Sequence, residues 1–191
     1  MNFANQLTLL RIILIPLFIA VFYLPSEWRY PLSTAVFSIA AVTDWLDGWI
    51  ARAYNQVTSF GAFLDPVADK LMVVAALVLL VETYNAPWFA IPVIIIIGRE
   101  ITISALREWM AELGKRTSVA VSTIGKIKTA MQMIAIIVLL YDNPNEPTWL
   151  TPMGYLCLYV AAVLTLWSMV IYLRAAWPTL SQREVNTKSR H

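Results

Sequence analysis

Charge and sulfur are both scarce in this chain. Only 14% of its 191 residues are charged and the net charge is +2, whereas about a quarter of a soluble domain is charged. So small a net charge gives no argument for a nucleic-acid partner. The single cysteine, Cys157, excludes an intrachain disulfide, and its apolar surroundings make it a small buried hydrophobe. The single histidine, His191, is the last residue and is a poor candidate for catalysis. No Arg/Ser-rich transit peptide opens the chain. No small-residue cleavage site follows the first apolar run, which therefore reads as a retained helix. There is no internal repeat, and no stretch between apolar runs is long enough for a soluble domain.

Apolar residues fill the space that charge leaves. They make up 59% of the chain and give a mean hydropathy of +0.66, which points to a bilayer as solvent. A hydrocarbon core of about 30 Å takes about 20 helical residues. Six runs meet that length: Leu7–Leu24, Leu32–Ala53, Phe63–Val81, Trp88–Leu106, Val121–Tyr141 and Met153–Leu173. Between them lie Pro25-Ser26-Glu27, the stretch around Asn55, Tyr84–Pro87, the charged run Glu108–Arg116, and Asp142–Pro147. The expected fold is therefore an all-α integral membrane protein with six transmembrane helices over residues 1–180. A polar, mobile cytoplasmic tail is expected over 181–191.

Lys and Arg in the short loops set the orientation. Arg52, Arg107, Lys115, Arg116, Arg174, Arg183, Lys188 and Arg190 fall on one side, with both termini; Arg29 alone falls on the other, beside Glu27, Glu82, Asp142 and Glu146. Both termini are expected in the cytoplasm. Trp28, Trp88 and Trp149 then mark the opposite interface.

Several charges lie inside the apolar runs. Asp44 and Asp47 are in the second, Asp65 and Asp69 in the third, Arg99 and Glu100 in the fourth, Lys126 and Lys128 in the fifth, and Arg11 in the first. A carboxylate near the bilayer centre costs about 2.5–3.5 kcal/mol on insertion scales, and less near an interface. All these charges fall in the cytoplasmic halves of their runs, which describes a polar pocket open to the cytoplasm. At about 100° per residue, Asp44, Asp47, Gly48 and Ala51 share one strip, and Gly61, Asp65 and Asp69 share another. Four carboxylates between two antiparallel helices supply hard oxygen ligands for Mg²⁺ or Mn²⁺, and a pair of such ions suits displacement at phosphorus. Gly48, Ala51 and Gly61 leave room for a nucleotide. A helix that begins near Pro66 would place Asp65 at its positive end.

The run Asp44-Trp-Leu-Asp47-Gly48-Trp-Ile-Ala51-Arg52, eight further residues, then Gly61-Ala-Phe-Leu-Asp65-Pro-Val-Ala-Asp69 resembles the motif of the CDP-alcohol phosphotransferases at every fixed position. The resemblance covers essentially the whole chain and implies a bacterial cytoplasmic-membrane enzyme. It implies a homodimer with two divalent ions per active site, held by Asp44, Asp47, Asp65 and Asp69. It implies transfer of a phosphatidyl group from CDP-diacylglycerol with release of CMP, Asp69 also acting as general base. Asn5–Arg11, Gly98–Ile101, Ala105–Arg116 and Gly125–Thr129 resemble the members that use glycerol 3-phosphate.

Charge also bears on the acceptor. Serine or inositol needs few extra cations, whereas Arg99, Arg107, Lys115, Arg116, Lys126 and Lys128 cluster on the fourth and fifth helices and their joining loop. An anionic acceptor such as glycerol 3-phosphate fits, with Arg99, Arg107, Lys126 and Lys128 as phosphate-binding candidates; Lys115 and Arg116 read as positive-inside anchors. Arg52 and Thr8 are candidates for the nucleotide, with Arg11 beside Thr8. Inositol phosphate or phosphatidylglycerol is the alternative acceptor. An ion transporter needs polar access from both sides, and the outer halves of the six runs offer none.

Overall fold

A computed structural model describes the backbone of residues 3–54, 59–112 and 123–188, and the side chains of 10–43, 67–68, 70–110 and 125–174. Six helices account for nearly all of it: α1 (Phe3–Phe22), α2 (Arg29–Tyr54), α3 (Ser59–Tyr84), α4 (Pro87–Glu112), α5 (Thr123–Tyr141) and α6 (Leu150–Lys188). Over its described residues each expected apolar run corresponds to one helix, the first ending at Phe22, and the described residues contain no strand. Pro87–Met110 and Leu150–Arg174 are long and apolar enough to cross a bilayer. Pro16 and Pro92 lie inside α1 and α4, a placement that membrane helices tolerate.

Three ends differ from expectation. Helix α4 runs through Arg107 and Glu108 to Glu112, because the charged run has no breaker there. Helix α6 continues past Leu173 to Lys188, so most of the polar C-terminal segment extends the last helix and is not a separate coil. Helix α3 begins at Ser59, well before Pro66. Asp65 is therefore outside the first turn, and a helix-end dipole cannot be invoked for it.

The end carrying Trp28, Trp88 and Trp149 is tied by side-chain hydrogen bonds. Tyr23 OH donates to Glu82 Oε2 at 2.6 Å, joining the end of α1 to that of α3. Tyr30 OH donates to Asn143 Oδ1 at 2.9 Å, and Asn143 Nδ2 to Glu27 Oε2 at 3.4 Å. These contacts link the entry to α2 with the α5–α6 loop. Buried Asp142 accepts from Thr148 Oγ1 at 2.8 Å and also from the Thr151 hydroxyl, which fixes the entry to α6. Asn85, at φ 39°, ends α3 in the left-handed region, and Pro87 opens α4. Successive helices therefore alternate in direction. The three tryptophans are exposed at this end.

Phe18, Phe37, Ala76, Leu77, Leu80, Phe89, Ile96, Ile136, Leu158 and Ala161 form the centre of the bundle. Tyr84 stacks on Phe89 at 4.8 Å between centroids, and Tyr155 meets both edge-on. A Cβ on Gly154 would lie 2.6 Å from Leu139 Cγ, so glycine there lets α5 and α6 approach closely. Ile13, Ile91, Ile94, Ile101, Leu156, Val163 and Trp167 face outward. Such a surface is costly in water and ordinary in lipid; with two helices long and apolar enough to cross a bilayer, it points to a membrane protein.

Candidate active site

Helices α2 and α3 are packed together, and residues 55–58 join the end of one to the start of the other. At 1.5 Å per residue, Asp44 lies about 15 Å from the end of α2 and Asp69 about 15 Å from the start of α3. Asp47 and Asp65 each lie about 10 Å from those ends by the same measure. The backbone thus carries the four aspartates at two matched depths on neighbouring helices. As donors, four carboxylates suit hard divalent cations. The side chains of Asp44, Asp47, Asp65 and Asp69 lie outside the described residues, as do those of Thr8, Ala51 and Arg52, and so do the surroundings of Gly48 and Gly61. Lys115 and Arg116 lie outside the described backbone altogether.

The cations of α4 and α5 are described in full. Arg99 Nη1 is ion-paired with Glu100 Oε1, and Lys128 Nζ reaches the same oxygen at 3.6 Å. The side chains of Arg99 and Lys128 are 11% and 9% exposed, that of Glu100 30%. Arg99 Nη2 also donates to Ser168 Oγ on α6 at 3.5 Å, whereas its Nε is buried with no hydrogen-bond partner among the described residues. One carboxylate between two largely buried cations leaves net positive charge, and a buried guanidinium N–H without an acceptor is costly. Both features fit a binding place for an anion.

Lys70, the residue after Asp69, donates to Ser104 Oγ, and Ser104 Oγ donates to the Glu100 carbonyl at 2.7 Å. The α3 helix is thereby connected to the Glu100 backbone. Among the described residues the backbones of α4 and α5 do not come together; α3 packs on both, and so does α6. A cavity of about 170 Å³ occupies the gap. Lys70, Glu100, Thr129 and Gln132 supply its polar lining; Leu77, Ile96 and their neighbours supply the apolar remainder.

Among the expected phosphate ligands, the structure brings Arg99 and Lys128 together. Lys126 is exposed: two residues from Lys128 is about 200° around a helix, so the two lysines cannot share a face. Arg107 is exposed too, its guanidinium 5.6 Å from the Tyr172 ring centroid, a cation–π contact across α4 and α6. Arg11, almost wholly buried, shares a small void with Phe37, Ala40, Met72 and Met133. Ser104, Ser168 and Gln132 were not legible as site residues. Ser104 follows Glu100 at helical spacing, which is a weak signal; Ser168 and Gln132 carry none.

The sequence profile of the CDP-alcohol phosphatidyltransferase family matches residues 1–171. The chain is 55% identical over 181 residues to a Pseudomonas fluorescens protein named CDP-diacylglycerol–glycerol-3-phosphate 3-phosphatidyltransferase, covering 94% of this chain and 92% of that one. A Salmonella typhimurium protein of the same name is 58% identical over 175 residues, covering 92% of this chain and 94% of its own. A Shigella flexneri protein, also of that name, is 57% identical over 175 residues.

Proposed function

The chain belongs to the CDP-alcohol phosphatidyltransferase family, and from that premise we propose how its residues carry out the reaction. It transfers a phosphatidyl group from CDP-diacylglycerol to glycerol 3-phosphate, giving phosphatidylglycerophosphate and CMP in phospholipid biosynthesis. Its relatives carry this activity in their names over nearly their whole length. The observation in this chain that carries the acceptor assignment is the Arg99–Glu100–Lys128 group, with two largely buried cations to one partly exposed carboxylate.

The family works with divalent metal ions. Asp44, Asp47, Asp65 and Asp69 would hold two of them, Mg²⁺ or Mn²⁺. When bound, they supply charge neutralisation for the diphosphate and for the departing CMP. Gly48, Ala51 and Gly61 leave the α2–α3 strip low enough for the nucleotide, with Thr8 and Arg52 at its edge. Arg99 and Lys128 hold the phosphate of glycerol 3-phosphate, which leaves its far hydroxyl free to approach Asp69. Asp69 accepts the proton of that hydroxyl, since an unassisted alcohol is a weak nucleophile near neutral pH. The oxygen then attacks the lipid-linked phosphorus, and the bond to CMP breaks.

The acceptor role of the two cations has a kinetic test. A charge-assisted hydrogen bond contributes about 1.5–3 kcal/mol, so Arg99→Ala or Lys128→Ala should raise the KM for glycerol 3-phosphate about 10- to 150-fold. The KM for CDP-diacylglycerol should stay close to that of the parent protein. Unchanged acceptor kinetics in both variants would assign these cations to topology alone.

We also propose that all six helices cross the bacterial cytoplasmic membrane with both termini inside, on the strength of the Lys/Arg asymmetry. A cysteine placed in the C-terminal segment should resist a membrane-impermeant maleimide in sealed cells and react after lysis. Labelling in sealed cells would reverse the orientation and put the pocket on the wrong face for cytoplasmic substrates.

A further inference from the structure

Glu100 occupies a place that ion pairing alone does not explain. Its Oε1 carries both Arg99 and Lys128. Among the described residues no hydrogen bond or ion pair engages its Oε2. The side chain is 30% exposed and lines the cavity between α3, α4 and α5, which Lys70 also lines. The carboxylate therefore has the phosphate-binding cations beside it and an open cavity within its reach, and the chain position next to Asp69 lies on the same cavity wall.

We propose that Glu100 reads the middle hydroxyl of the acceptor. This rests on glycerol 3-phosphate being the acceptor. With its phosphate on Arg99 and Lys128 and its far hydroxyl near Asp69, the three-carbon chain runs past Glu100. An ionised carboxylate can only accept hydrogen bonds, so Oε2 fits a hydroxyl and repels a second anionic group. It is also a third point of attachment. Two points, phosphate and reacting hydroxyl, hold both mirror images of glycerol phosphate equally well. A third contact at the central carbon distinguishes them, because hydrogen and hydroxyl exchange places there. Glu100 is thus a specificity residue that binds substrate and takes no part in proton transfer.

The test compares three acceptors with the purified full-length protein in CDP-diacylglycerol mixed micelles: sn-glycerol 3-phosphate, its mirror image, and 3-hydroxypropyl phosphate, which lacks the middle hydroxyl. The parent protein should prefer sn-glycerol 3-phosphate over the deoxy acceptor by about 10- to 150-fold in kcat/KM, the size of one charge-assisted hydrogen bond. In Glu100→Ala that preference should shrink to within about threefold, and the mirror image should become a comparable substrate. Glu100→Gln, which keeps an acceptor oxygen without the charge, should fall between. A purely structural role for Glu100 would lower activity on all three acceptors alike and leave their ratios unmoved, which would overturn the proposal. So would equal use of the deoxy acceptor by the parent protein, a result that does not depend on any variant folding. No CMP release with any of the three would overturn the acceptor assignment itself.

Discussion

Asp44→Asn, Asp47→Asn and Asp65→Asn should each lower CMP release by about a thousandfold or more, while the protein remains folded in the membrane. The expected size follows from what is removed. Asparagine keeps an oxygen in place but no charge, and a hard divalent ion binds carboxylate oxygen largely through charge. Metal ions contribute several kcal/mol to stabilising charge at a reacting phosphoryl group. About 1.4 kcal/mol is a factor of ten in rate, so losing most of that term costs about three powers of ten. Stability should move little or in the opposite direction, because a neutral side chain is cheaper in a membrane helix than a charged one. Turnover and elution from size-exclusion chromatography therefore separate: the first collapses and the second does not. A partial return of activity at raised Mn²⁺ would identify the loss as weakened ion binding. Full activity in any of the three variants after chelation would remove the aspartates from metal binding.

Asp69→Asn is expected to behave differently from its neighbours. General-base assistance typically contributes about 10²- to 10⁴-fold, so turnover should fall by at least that much. Three carboxylates remain, at the matched depths on α2 and α3, and the cytidine diphosphate should still find most of its binding site. CDP-diacylglycerol binding by equilibrium measurement should therefore persist while the chemical step fails. The position supports this division, because Asp69 is the deeper of the two α3 aspartates. Its neighbour Lys70 is held by Ser104 on α4, the helix that carries Arg99. Near-normal turnover in Asp69→Asn would assign the proton to another group.

The six-helix, all-α order was legible because Pro- or polar-rich breaks separate the apolar runs from which the helices form. Periodicity and length cannot fix helix ends where polar residues remain helix-compatible, which explains α4 continuing to Glu112 and α6 to Lys188. The aspartate motif was legible because fixed spacings across two helices and a short connection are specific. The acceptor side was only half legible. A count of cations offered Arg99, Arg107, Lys126 and Lys128 alike; the structure brings only Arg99 and Lys128 of these onto one carboxylate among the described residues, and a two-residue separation denies Lys126 and Lys128 a common face. Glu100 could be read as a partner of one of Arg99, Lys126 and Lys128, but not as a carboxylate that Arg99 and Lys128 share. That fact depends on how α4 and α5 are held apart by α3 and α6, which no local pattern encodes. Ser168 sits in an apolar helix and acquires meaning only from the Arg99 side chain that reaches it.

The most direct measurement supplies purified protein with CDP-diacylglycerol and one acceptor at a time, and follows CMP release together with the lipid product. Glycerol 3-phosphate should release CMP and yield phosphatidylglycerophosphate, while free glycerol, serine, inositol, inositol phosphate and phosphatidylglycerol should not. Equal CMP release with any of those other acceptors, or none with glycerol 3-phosphate, would contradict the account.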